Sequence, residues 1–482
     1  MTSDSKGGKK SFYVTVPIYY PNANLHMGHV YTTTLADILA RYHRLSGKEV
    51  YFLTGSDENT SKVIKSSESE GKSVEKYLDE ITSGFKSLFE MINISSSDFI
   101  RTTDKEKHWP GVIAMWNALA ASGDIYKNSY EGLYCSACEA FYTEKDLIEG
   151  KCPFHGTSPE MLKEENYFFR LSKYANQVAE KIKSGEFAIL PDSRKNEILA
   201  FIERGVEDVS FSRPINVVPH GIPVPGDESQ VIYVWCDALT NYISALGYGT
   251  DSDVLFKKFW PADVQIMGKD ILRFHALIWP AMLLSAGLPL PKNILVHGMI
   301  TSGGVKMSKS IGNVIDPMEV INEFGVEALR YYVAREISTF EDGDMTLERF
   351  KEAYNANLAN GLGNLVARVM KMAETHLEKC PLLPEKSIPE DFASAMEQFE
   401  IQKAANIVWQ KIQDLDSKIQ ATEPFKLVKS DLEKGRQIIS ELVIDLYTVG
   451  RMLNPIMPNT SEAIKYAVKS NISPINLFPR KD

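Results

Sequence analysis

The chain has 482 residues, too many for one hydrophobic core, so two to four domains are expected; 44% hydrophobic and 24% charged residues, with no apolar run of membrane-spanning length, read as a soluble globular protein. The start MTSDSKGGKK has no apolar stretch behind its lysines and no arginine, which argues against a secretory signal or a transit peptide and makes the cytoplasm the expected compartment, while five cysteines are too few for a disulfide framework. The net charge of −10 speaks against nucleic acid, yet residues 351–482 hold 17 basic and 17 acidic residues, so the excess lies wholly in the first 350 and the C-terminal part permits such a contact without demonstrating it.

In chain order, SFYVTVPIYY (11–20) is β-branched and aromatic and predicts a strand. PNANLHMGH (21–29) is a turn leading into VYTTTLADILARYHRLSG, whose apolar spacing predicts a helix closed by Gly47. EVYFLTGSDE (49–58) is a second buried strand, and strand, helix and strand together make a βαβ unit with a parallel sheet. The alternation then breaks into a long insert, roughly Gly111 to Val231. QVIYVWCDALTNYISAL and DVQIMGKDILRFHALIWPAMLLSAG resume strand and helix, and NILVHGMI (293–300) reads as the last strand. From about Phe350 the segments FKEAYNANLANGLGNLVARVMKMAETHLEKC, EQFEIQKAANIVWQKIQDLDSKIQ and KGRQIISELVIDLYTVGRMLN are amphipathic helices, with the Pro-rich connection CPLLPEKSIPED between the first two.

Two short stretches carry chemistry. HMGH (His26–His29) lies where the first strand gives way to a helix, the place where a doubly wound sheet binds ligands and a helix N-terminus attracts phosphate. His26 and His29 can donate to phosphoryl oxygens, and Gly28 leaves room for a ligand to approach the backbone. An ordinary turn with two surface histidines is the plain alternative, disfavoured by the position after strand one. GGVKMSKSIGN (303–313) sets Lys306 and Lys309 three apart among hydroxyls and glycines. It reads either as a solvated basic loop or as a loop that moves on Gly303 and Gly304 to close over a triphosphate. No GxxxxGK[ST] motif occurs, which excludes a P-loop enzyme. In the insert, Cys135, Cys138, Cys152 and His155 follow C-x2-C, 13 residues, C-x2-H, a spacing that brings four ligands to one tetrahedral zinc in a small knuckle. With no evident general acid or base beside it, the zinc is expected to be structural.

HMGH and KMSKS together, in this order on one α/β sheet, resemble the signatures of the class I aminoacyl-tRNA synthetases. VPIYYPNANLHMGHVYTTTLADILARYHRLSGKEVYFLTGSDENTSKV, YVWCDALTNYISALGY, GKDILRFHALIWPAML and NANLANGLGNLVAR resemble the methionyl-tRNA synthetases of that class, and the knuckle is similar to the single-knuckle insert of some of them. The resemblance implies an α/β, doubly wound parallel-sheet (Rossmann-like) catalytic domain with a zinc-knuckle insert, followed by an α-helical bundle. The expected boundaries are 1–110 and 231–298 for the catalytic halves, 111–230 for the insert (knuckle about 130–160), 299–350 for the KMSKS loop and a linking subdomain, and 351–482 for the anticodon-binding bundle.

It further implies ATP-dependent ligation of L-methionine to tRNA(Met) through methionyl-adenylate, with magnesium on the phosphates. ATP would be held by Asn22, His26, Gly28, His29, Gly268, Asp270, Lys306 and Lys309, with the two histidines and two lysines as the catalytic set. Asp270 falls where the family holds the ribose; its plain alternative is a helix N-cap. Methionine would lie among Ile18, Tyr20, Trp235, Ala238, Leu239, Tyr242, Phe274, His275 and Ile278, with Asp57 on its ammonium; for Phe274 and Ile278 a purely core role competes. Asn364 and Arg368, four apart on one helix face, and Phe425, where the family usually has Trp, would read the anticodon. The expected partners are ATP, methionine and tRNA(Met). A monomer without membrane association is expected, since INLFPRKD ends the chain without the appended dimerising, tRNA-binding domain of some relatives, a function a separate protein could supply.

The rival readings are weaker. Synthetases for branched aliphatic amino acids carry a far larger editing insert than these 120 residues, and a cysteine-specific enzyme would want a zinc thiolate in PIYYPNANL. A nucleotidylyltransferase would lack the bundle and the knuckle. A non-catalytic, synthetase-derived RNA-binding protein is disfavoured because both histidines of HMGH and both lysines of KMSKS are present.

Overall fold

The computed structural model describes residues 10–482 except 136–139, 143, 154–155, 234, 308–312 and 385–387. The predicted first strand forms β1 (Ser11–Thr15), buried at all but its first residue. The chain passes through α1 (Met27–Leu45) and returns as β2 (Glu49–Ser56), parallel to β1 with Ser11 opposite Glu49. β3 (Asp98–Arg101), β4 (Ala188–Leu190), β5 (Val264–Gly268) and β6 (Asn293–His297) complete a six-stranded parallel sheet of order β3-β2-β1-β5-β6-β4. The winding reverses between β1 and β5, so their carboxyl ends flank the crevice that such sheets use for ligands. The doubly wound expectation holds.

Two features depart from the sequence reading. Beyond β6, the expected last strand, the sheet adds β4, three residues from within the presumed insert, with Ala188 opposite Asn293. A run as short as AIL carries no periodicity to detect. The stretch after β5 is not one helix: a 3-10 turn (Lys269–Ile271) and a π-helical turn (Phe274–Ile278) precede the helix Trp279–Ser285. Such π turns re-aim side chains and occur often at functional sites.

Because side chains alternate along a strand, the sheet divides its load between two cores. Phe12, Val14 and Phe52 face one side, where they merge with α1 and the apolar faces of the C-terminal helices, among them Ile401–Thr422 and Leu432–Met452. Tyr13, Tyr51 and Leu53 face the other side, together with α2 (Trp109–Ala121), α3 (Trp235–Ser244) and the insert. The insert is built on a long antiparallel hairpin, Ile125–Cys135 against Glu160–Phe169. A buried ion pair joins the catalytic and C-terminal parts: Arg330 Nη2 lies 2.7 Å from Asp37 of α1, while its other donors reach the carbonyls of Ile92, Pro455 and Ile456.

Candidate active site

HMGH closes the N-terminus of α1 as a capping box with histidines in both roles. His26 is the N-cap; its Nδ1 accepts from the Gly28 N–H at 3.0 Å, and the His26 N–H donates to His29 Nδ1 at 3.1 Å. With Nδ1 an acceptor in both, each neutral ring carries its proton on Nε2, a donor suited to phosphoryl oxygen. The rings stack at 3.9 Å, and His29 also meets the edge of Tyr19 at 4.6 Å. Burial, and then the neighbouring His26, push His29 well below its ordinary value, so it is neutral at pH 7. Gly28 has a reason beyond ligand access: a Cβ there would stand 2.8 Å from His26 Cε1. Asn22 is exposed in the preceding turn.

Across the crevice, β5 ends at Gly268, the cap residue of the following 3-10 turn. Asp270 lies inside that turn, exposed; it is therefore not the helix N-cap of the plain alternative. His297, which the sequence did not single out, ties the two sides together. Its Nδ1–H donates to Gly298 O and its Nε2 lies 2.7 Å from Thr32 Oγ1 in the second turn of α1.

The predicted methionine residues form a layered group. Trp235 stacks on Phe274 at 3.5 Å between ring centres. Both, with Ile278 and Asp270, line a cavity of about 670 Å³ that insert residues including Tyr134 and Arg213 also line. Ala238, Leu239, Tyr242 and His275 are buried beside it. His275 Nδ1–H donates to Ile271 O at 3.0 Å, so its Nε2 accepts from the Tyr242 hydroxyl at 2.7 Å, and burial lowers His275 to about 4. Ile18, Tyr20 and Asp57 do not line this cavity. The Asp57 N–H donates to Tyr19 O at 2.9 Å, which keeps the buried Asp57 beside Ile18 and Tyr20; Lys62 sits 3.6 Å over the Tyr20 ring.

The segment before KMSKS is a tight hairpin, Ile300–Ser302 against Val305–Lys306. Gly303 (φ +63°) and Gly304 (φ +75°) form its two-residue turn, where left-handed backbone is required. The glycines thus have a role in turn geometry besides the loop motion expected of them. Asp344 holds the turn, accepting from Gly304 N–H at 2.8 Å and Thr301 Oγ1 at 3.1 Å. Asp342 binds Lys269 at 2.7 Å and Met299 N–H at 2.9 Å. Neither aspartate was visible as a partner in the sequence. Lys309 and the side chain of Lys306 lie outside the described residues.

At the knuckle, Cys135 ends its strand and is buried with Cys152, Tyr142 and Leu147 in one small cluster. The Cys152 carbonyl accepts from Gly156 N–H at 2.8 Å. Two buried thiols in a cluster too small to be a core suit a metal. Cys138 and His155 lie outside the described residues, among which no group of three or more His, Cys, Asp or Glu is placed to hold an ion.

In the bundle, Asn364 opens the helix Asn364–His376 and is exposed. Arg368 is not simply solvated: it pairs with Asp416 of the helix Ile401–Thr422. Phe425, 43% exposed, is the second residue of the next helix, Pro424–Ser430, which begins just after the helix carrying Asp416 ends at Thr422.

Comparison with known proteins agrees with this arrangement. The family model described as tRNA synthetases class I (M) matches residues 12–157 and 144–370. A methionine–tRNA ligase of Clostridium acetobutylicum is 44% identical over 473 residues, covering 95% of this chain and 73% of that protein. One from Caldanaerobacter subterraneus is 42% identical over 469 residues, covering 94% and 73%. The Mycobacterium tuberculosis methionyl-tRNA synthetase in complex with methionyl-adenylate superposes with a TM-score of 0.89 at 33% identity, covering 98% of this chain and 100% of that one. Its apo form gives 0.82 at 30% identity, with 99% and 100% covered. The chain therefore belongs to the class I aminoacyl-tRNA synthetases, in the methionyl-tRNA synthetase family.

Proposed function

We propose that the chain activates L-methionine with ATP and transfers it to tRNA(Met), with the residues singled out above in the following roles. The observation that carries the reading is the histidine capping box at the carboxyl end of β1, facing the Gly268–Asp270 turn across the reversal of the sheet. In the first step a methionine carboxylate oxygen attacks the α-phosphorus, the bond from that phosphorus to the bridging oxygen breaks, and pyrophosphate leaves. In the second, a ribose hydroxyl of the terminal tRNA adenosine attacks the methionyl carbonyl and AMP leaves. Neither step needs covalent help from the protein; alignment and charge neutralisation suffice.

The Nε2–H groups of His26 and His29 at the start of α1 bind phosphoryl oxygens, with Gly28 and Asn22 beside them. Asp270, next to Gly268, accepts from the ribose hydroxyls. Lys306 and Lys309 neutralise the transition state and the leaving pyrophosphate, to which magnesium on the phosphates adds charge. Asp57 binds the methionine ammonium. Trp235 and Phe274 give the thioether a soft, apolar wall, with Ile18, Tyr20, Ala238, Leu239, Tyr242, His275 and Ile278 around it. Tyr242 and His275 satisfy one another, so neither leaves its hydroxyl or ring nitrogen unpaired beside an uncharged side chain. Zinc held by Cys135, Cys138, Cys152 and His155 would supply folding energy to the knuckle and no chemistry. Phe425 stacks on an anticodon base, while Arg368 exchanges Asp416 for a base edge beside Asn364. One chain carries both the catalytic and the anticodon sites, consistent with a monomer acting in the cytoplasm.

Charging of purified tRNA(Met) with labelled methionine tests the reading. Charging that requires ATP and falls sharply in H29A is expected; undiminished charging by H29A would remove the capping box from the mechanism.

A further inference from the structure

Asp237 belongs to none of the groups assigned so far. It lies on α3 one turn from the pocket residues, with only 1% of its surface exposed. Along α3 the positions Trp235, Ala238, Leu239 and Tyr242 share one face, while Asp237, Asn241 and Ser244 share another. The Asp237 carboxylate accepts from two other segments: Asn59 Nδ2–H donates to Oδ2 at 2.9 Å, and His108 Nε2–H donates to Oδ1 at 2.6 Å. His108 Nδ1 lies 2.7 Å from Ser244 Oγ, back on α3. The Asn59 amide also donates to Thr102 O at 2.9 Å, and Thr102 Oγ1 accepts from the Glu58 N–H at 2.8 Å. The side-chain contact of Asn59 with Asp237 thus ties the loop of residues 57–59 to α3.

We propose that Asp237 is a positioning residue for the amino-acid substrate: through Asn59 it sets the distance between the loop carrying Asp57 and the face of α3 that carries Trp235, Leu239 and Tyr242. The proposal rests on the roles given to Asp57 and to that face. Methionine presents a charged ammonium at one end and a thioether at the other, so a site that reads both must hold its two poles at a fixed separation. A buried carboxylate bonded to two donors from two segments is a rigid spacer, because either donor left unpaired in the interior is costly. The ATP-binding elements, α1 and the Gly268–Asp270 turn, take no part in this network.

The test is equilibrium binding of methionine and, separately, of ATP to purified variants, with thermal melting as a folding control. In D237N one of the two donors must face an amide N–H, so methionine affinity is expected to fall about tenfold. ATP affinity should stay within about twofold. N59A keeps the Asp237–His108 contact, serves if D237N does not fold, and should weaken methionine about threefold. Unchanged methionine affinity in D237N, or equal losses for methionine and ATP, would overturn the proposal. D57N separates the two levels. If D57N weakens methionine and D237N does not, the positioning role alone is wrong; if D57N leaves methionine binding intact, the assignment of Asp57 fails and the positioning role falls with it.

Discussion

Replacing Arg330 by methionine removes the cation on which three parts of the molecule converge. Its guanidinium pairs with Asp37 at 2.7 Å and donates to Ile456 O at 2.9 Å, Pro455 O at 3.0 Å and Ile92 O at 3.2 Å, all without solvent contact. Burial pushes the Asp37 carboxyl up, but Arg330 first, then Arg41 and the two Ser95 donors, outweigh it and hold Asp37 below its ordinary value. R330M leaves that buried carboxylate with Arg41 and Ser95 only and strips three buried carbonyls of a donor. Breaking such a pair costs about 3–5 kcal/mol. Urea unfolding should show this as a lower midpoint. The deficit against wild type should narrow as pH falls from 7 to about 5, because the Asp37 carboxyl, no longer held down, takes up a proton and its burial cost disappears. D37N/R330M should be more stable than the sum of its single penalties, by about 1–3 kcal/mol. A loss in R330M below about 1 kcal/mol, or strict additivity, would refute the claim that this pair joins the two parts.

Four further outcomes are expected. Burial holds His43 down to about 3, helped by Lys48, and His275 down to about 4, so below pH 6.5 the unfolded chain binds protons that the folded chain refuses, and stability must fall with falling pH. At pH 5 each costs about 2 kcal/mol relative to pH 7, which acid titration of the melting temperature checks; stability that is flat or rising from pH 7 to 5 contradicts it. Because His29 is neutral with its proton on Nε2, H29N, whose amide offers an acceptor and a donor, should retain more adenylation than H29A. K309A should slow adenylate formation in single-turnover experiments by more than about tenfold with little change in methionine affinity; the reverse pattern would reassign the loop. Elemental analysis should find about one zinc per chain, and a metal-free chain with an intact knuckle would exclude that site.

Much of this was legible in the sequence because the signals were local. β1, α1 and β2 follow from strand composition and helical spacing, and HMGH gains its meaning from its place between them. β4 escaped because three residues carry no period, and it pairs with β6 more than a hundred positions away. The capping box escaped because histidine is not among the usual N-cap residues, although the spacing of two side chains three apart at a helix start was there to be read. Asp237, His108, Asp342, Asp344 and His297 escaped because each acts through partners distant in sequence, and a lone Asp or His reads as surface or core until those partners are placed. The hairpin turn at Gly303 and Gly304 escaped because its strands are only two or three residues long.

Pyrophosphate exchange into ATP, measured without tRNA across a panel of amino acids, tests the central claim most directly. Exchange that depends on methionine and magnesium, with leucine and cysteine far weaker, is the predicted result. No exchange with methionine, or equal exchange with leucine, would contradict the account.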